Sequence, residues 1–200
     1  MSTPALPADP RPVYAAATRW VTDLLGRVDD AQLESPTPCD DFDVRALAGH
    51  LIGTARRAVA LGNGDDVFAV PSVDDRHDAG TYADLTTVAI DSWSGDAKLT
   101  AMVKVPWGEV PGAGALWGYV NETLVHGWDL AVATGQDAEP DPALAEATLA
   151  VAQRFIPAEI RADDTVPFGP VVESRDGAGP TERLANWSGR TSSAWVQVTA

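Results

Sequence analysis

The chain has 200 residues, 45% of them apolar, enough for one domain with a real core. Fourteen Lys and Arg against 29 Asp and Glu give a formal net charge of −15, which repels phosphate backbones and anionic bilayers and excludes nucleic acid and membrane as expected partners. The single cysteine, Cys39, rules out an intrachain disulfide and any multi-cysteine zinc or iron–sulfur site, and it fits a reducing cytoplasm.

Residues 1–11 read as a flexible, proline-rich N-terminus without the basic lead-in and apolar core of a signal peptide. No later run reaches the roughly 18 to 20 apolar residues needed to cross a bilayer. Val13, Ala16, Ala17, Trp20, Val21, Leu24, Leu25 and Val28 then recur at helical spacing, with Pro12 suited to a first turn. Asp29 to Asp41 reads as an ordered loop containing Ser35-Pro36-Thr37-Pro38, and either Asp41 or Asp43 is placed to cap a second helix running to about Gly62. The polar segment from there to Gly80 places His77 among charges, as a solvated surface residue.

Tyr82, Leu85, Val88, Ala89, Ile90 and Trp93 predict a third helix that stops at Gly95. Leu99 to Trp107 alternates apolar and polar side chains, as a short strand or an extended crossover does, and Gly108 to Gly114 is rich in glycine. A fourth helix is expected from near Ala115 to Thr134, with Gly135 as its natural terminator. Asp141-Pro142 opens a fifth, expected to stop near Arg161. A turn at Val166-Pro167-Phe168-Gly169-Pro170 and a short helix around Arg183 to Trp187 complete a small C-terminal extension, residues 164–200. The expected fold is all-α: a single domain over residues 1–200, built as a four-helix bundle with a long crossover and a short extended segment.

Chemistry concentrates in two apolar helical runs. Glu122 and His126 stand four residues apart, on one face of the fourth helix, where they can close on one ion. His50 lies in the apolar run Val44 to Gly53 and is the candidate third ligand. Two histidines and a carboxylate with an open position are the ligand count of a catalytic zinc site, and they also suit non-haem iron or nickel. The competing reading of each histidine is a hydrogen-bonded core residue. Asp129, three residues beyond His126, is placed either to orient an imidazole or to serve as a surface or capping aspartate. Cys39 reads as part of a helix lead-in rather than a nucleophile, because Asp40 and Asp41 beside it raise a thiol pKa. Trp93, Trp107, Trp117 and Trp128 read as core aromatics, one of which could line a pocket.

Three landmarks add a family resemblance spanning about residues 12 to 190. They are Thr37-Pro38-Cys39 with Gly49-His50-Leu51; the run Glu122 to Ala131 with Ala133-Thr134-Gly135; and Phe168-Gly169-Pro170 with Arg183-Leu184 and Gly189-Arg190. In these the chain resembles the actinobacterial DinB-like metal-binding proteins, relatives of the N-terminal domain of mycothiol-dependent maleylpyruvate isomerase. The resemblance implies a DinB-like bundle holding one divalent ion, usually zinc, on residues matching His50, Glu122 and His126. It also implies a thiol cosubstrate, mycothiol, used for S-transfer to a small electrophile or for its isomerisation, and it leaves a homodimer open. A metal-binding module without catalysis, or a thiol-independent reaction at the same site, is the alternative. The chain departs from the family at Phe42, where tryptophan is common, and at Thr191-Ser192, where Asp-Pro usually follows the Gly-Arg pair. The isomerase's sterol-carrier-like C-terminal domain is not expected within these 200 residues.

Overall fold

The structure, a computed structural model, describes residues 9–162 and 169–196. Most of the expected N-terminal segment and the turn at Val166 to Phe168 lie outside the described residues. Helix α1 spans Arg11–Leu25, with proline in its first turn as its sequence predicts. Helix α2 spans Val44–Asn63 and starts at Asp43, whose carboxylate accepts from the Ala46 amide at 2.8 Å. It ends at Gly64, whose left-handed φ of 84° only glycine adopts without strain. Helix α3 spans Ala79–Ser92, capped by Asp78. Helix α5 spans Gly112–Thr134 and terminates on Gly135.

These four helices form a ring: α1 packs on α3 and α5, and α2 packs on the same two. Helix α5 is the axis. From Thr123 to Ala131 every residue on it is buried, so it behaves as a core helix with no solvent stripe. Trp117, Val120, Leu124 and Val125 join one apolar cluster, and Leu130 and Ala131 join a second with Leu47, Leu51 and Ile52 of α2. Close approach of α1 is allowed by Gly127, where a Cβ would stand 2.9 Å from Val21 and collide with Trp20.

The connection from α3 to α5 departs from the all-α expectation. After the short helix α4 (Asp96–Thr100), strands β1 (Met102–Val105) and β2 (Gly108–Pro111) pair antiparallel, with Val103 opposite Val110. Alternation at 102–105 was visible in the sequence, but its partner was concealed by glycine and proline. Gly108, at φ 136°, makes the turn. Trp107 at this turn is 46% exposed rather than a core aromatic, whereas Trp93, Trp117 and Trp128 are buried.

Helix α6 spans Pro142–Phe155, shorter than expected, because Pro157 biases Ile156 out of the helical region. A 3-10 turn at Ala158–Ala162 follows, and α7 spans Pro180–Trp187. Helices α6 and α7 pack on each other and on α5, outside the ring. Among the described residues, no helix is long and apolar enough to cross a membrane. His77 is half-buried rather than fully solvated, with Nε2 3.3 Å from Arg45 Nη1.

Candidate metal centre

The α2 and α5 faces that meet inside the ring bring His50, Glu122 and His126 together. Glu122 Oε2 stands 3.5 Å from His50 Nε2 and 3.6 Å from His126 Nε2. One donor atom from each residue lies within 4.8 Å of the other two. These separations are long for hydrogen bonds. They are close to the roughly 3.4 Å that separates two donors bound tetrahedrally to one zinc ion at about 2.1 Å each.

Both imidazoles are oriented through their other nitrogen. His50 Nδ1 lies 3.0 Å from the carbonyl of Ser72, and His126 Nδ1 lies 3.0 Å from Asp129 Oδ2. A carbonyl and a carboxylate only accept, so each Nδ1 donates, and in the neutral imidazole each Nε2 then presents its lone pair toward Glu122. With both imidazoles neutral, three acceptors therefore converge at one point. His50 Nε2 is buried and without a hydrogen-bond partner, an arrangement that a cation would satisfy. The residues present therefore fit a divalent ion. With no ion bound and the imidazoles protonated, burial pushes the Glu122 carboxyl up, but the His50 and His126 imidazoles and the Arg190 guanidinium outweigh it and bring it down to about 2.

The surroundings are partly apolar and partly a charge chain. Phe42 stacks on His50 with ring centroids 5.0 Å apart and meets His126 edge-on at 6.3 Å. Asp129 is fully buried, not at the surface, and it also accepts from Arg190 Nε at 3.0 and 3.1 Å. Arg190 reaches it from beyond α7. The left-handed Gly189 turns the chain, and the Arg190 amide donates to Ala185 O at 2.9 Å. Gly189-Arg190 belongs to the tail landmarks of the family resemblance, but no spacing in the sequence connects it with Asp129, 61 residues upstream.

Cys39 Sγ lies within 4.8 Å of donor atoms of both His126 and Asp129. Its thiol is raised, the expected direction, but chiefly by burial rather than by the neighbouring Asp40 and Asp41. Arg190 opposes that rise and Asp129 adds to it, while Asp41 acts both ways, its backbone hydrogen bond lowering the thiol and its charge raising it. His77 pairs with Arg45 and is not in the cluster.

Residues 14–131 match the family described as the mycothiol maleylpyruvate isomerase N-terminal domain. The chain belongs to this family. Two uncharacterized proteins from two strains of Mycobacterium tuberculosis are each 29% identical to it over 183 residues, 92% of this chain and 98% of theirs. The crystal structure of a mutant of the mycothiol-dependent maleylpyruvate isomerase superposes with a TM-score of 0.51 at 15% identity, covering 76% of this chain and 68% of that one. At that identity the likeness concerns the fold alone. The span that places the chain in the isomerase N-terminal domain family contains His50, Glu122, His126 and Asp129, while Arg190 lies outside it.

Proposed function

We propose that the chain binds one divalent metal ion, zinc before nickel or iron, through His50, Glu122 and His126, and that it is an enzyme using a low-molecular-weight thiol on a small electrophile. The single observation that carries the metal reading is the convergence of Glu122 Oε2 with the Nε2 atoms of His50 and His126, the first of these nitrogens being buried and unpartnered. Mycothiol as the thiol, and S-transfer or isomerisation as the reaction, are supported by the family and by the printed name of the structural neighbour.

When bound, the ion supplies Lewis acidity at an open position and favours thiolate over thiol near neutral pH. The chain's own residues do the rest. Ser72 and Asp129 hold the two imidazoles as Nδ1–H tautomers. Glu122 offsets one positive charge of the ion, and two neutral imidazoles offset none, so the site retains affinity for an anionic sulfur. Phe42 covers His50 and part of His126 and keeps water from that side. Cys39, raised by burial, is a poor nucleophile, so the reacting sulfur comes from outside the chain. Residues 1–200 are taken as one domain acting in the cytoplasm, with a small molecule and a thiol as its partners.

Elemental analysis of protein purified without added metal should find close to one equivalent of a divalent ion. His126→Ala and Glu122→Ala should abolish it, and His77→Ala should leave it intact. A panel of electrophiles should be consumed only when thiol and metal are both present, and Cys39→Ser should not change that. Turnover indifferent to thiol would remove the thiol mechanism while sparing the metal site.

A further inference from the structure

The segment 70–76 crosses α2 in a position that its burial does not explain: Pro71, Ser72 and Val73 are all exposed. An exposed, irregular segment holds a fixed place only where it is tethered. Here the tethers are polar. Arg57 of α2 donates from Nε and Nη2 to Val70 O at 3.0 and 2.9 Å. The Asp74 amide donates to Gly49 O at 3.0 Å, the Asp74 carboxylate pairs with Arg56, and the Arg76 amide donates back to Asp74 at 2.9 Å. Between these tethers the Ser72 carbonyl meets His50 Nδ1.

The approach is possible at only one kind of residue. A Cβ on Gly53 would stand 2.6 Å from Ser72 O and 3.1 Å from Pro71 O, and one on Gly49 would collide with Asp74 O and stand 3.1 Å from Val73. The obstructing atoms are mostly backbone, so the segment itself would have to move. Two glycines inside a helix cost about 1 kcal/mol each relative to alanine. At i and i+4 they clear one strip of α2, and His50 sits between them.

We infer that segment 70–76 is a strap whose Ser72 carbonyl positions His50 as the upstream metal ligand, and that Gly49 and Gly53 are the residues that admit it. The inference rests on the metal reading above for its consequence but not for its geometry. Groups that orient a ligating imidazole change metal affinity by about 10- to 100-fold when lost. His50 and Ser72 are 22 residues apart, so the ligand's tautomer is set by a contact that α2 alone does not provide.

The test compares Gly53→Ala, Arg57→Met and a control, Gly62→Ala. Gly62 lies about 18 Å beyond His50 along α2 and faces Ser92 and Trp93, where a Cβ also collides. Zinc affinity is measured by competition with a chelating dye, and the His50 tautomer by nitrogen–proton NMR of the metal-free protein. Gly53→Ala and Arg57→Met should each lose the Nδ1–H signal and bind zinc at least about tenfold more weakly. Gly62→Ala should lose thermal stability and keep both. Retention of wild-type affinity and tautomer in the first two, or an equal loss of affinity in the control, overturns the strap. If the wild type binds no zinc, the metal reading fails, and the tautomer alone decides the strap. If Gly53→Ala does not fold, Arg57→Met carries the test.

Discussion

At the scale of the residue, Asp129 carries the sharpest consequence. A fully buried carboxylate is costly to desolvate, and this one is compensated from two sides, by His126 Nδ1–H and by Arg190. Removing one partner of a buried pair leaves the other uncompensated. Arg190→Ala should therefore destabilise the protein by about 3 kcal/mol, read by urea denaturation. Asp129→Asn retains an oxygen for His126 but cannot neutralise Arg190. It should lower zinc affinity by about tenfold, less than Asp129→Ala, which leaves the imidazole unoriented. Equal affinities in wild type and Asp129→Ala would mean that the 3.0 Å contact does not orient the ligand.

At the scale of the element, each long helix is delimited by chemistry that the sequence displays. Asp78 accepts from the Thr81 amide and hydroxyl, both at 2.8 Å, and these bonds hold its carboxyl below the usual aspartate range. A carboxyl depressed in the folded state stabilises fully above its unfolded pKa of about 4 and loses that contribution as pH falls through the folded value. Asp78→Ala should cost about 1 kcal/mol at pH 7, and the gap between variant and wild type should narrow below about pH 4. Gly127→Ala should cost about 1 to 3 kcal/mol by overpacking α1 against α5, a loss visible as a lowered Tm.

Such local signals explain how much was legible. Caps, terminal glycines and 3.6-residue periodicity marked α1, α2, α3, α5 and α7 within a few residues. The i, i+4 pair marked Glu122 with His126, and a matching apolar run marked His50. What was hidden depended on contacts across the chain: β2 owes its strand to pairing rather than composition, the strap to tethers on α2, and the Arg190–Asp129 contact to the docking of the tail. Trp107 read as core by residue type, yet a turn position leaves it half in solvent.

For the whole molecule, the proposed ligand set spans the ring of helices, since His50 belongs to α2 and Glu122 and His126 belong to α5. An ion held this way binds the folded chain and not the unfolded one, so it should stabilise the whole fold by mass action. At free zinc 100-fold above the dissociation constant the gain is about 2.7 kcal/mol, and each further tenfold adds about 1.4 kcal/mol. For a chain of this size that corresponds to a rise in Tm of about 5 to 11 °C at the first concentration. The net charge of −15 supplies a competing explanation, because a strongly acidic surface also collects divalent cations. Salt separates the two. Surface attraction beyond a Debye length of about 3 Å is screened at 1 M ionic strength, whereas three ligands in direct contact with an ion are not. The Tm should therefore climb with zinc to nearly the same extent in low and high sodium chloride for the wild type and for His77→Ala. In His126→Ala and Glu122→Ala the climb should be slight and should vanish in high salt. A wild-type rise that high salt abolishes would assign the stabilisation to the acidic surface and leave the three converging acceptors without an ion.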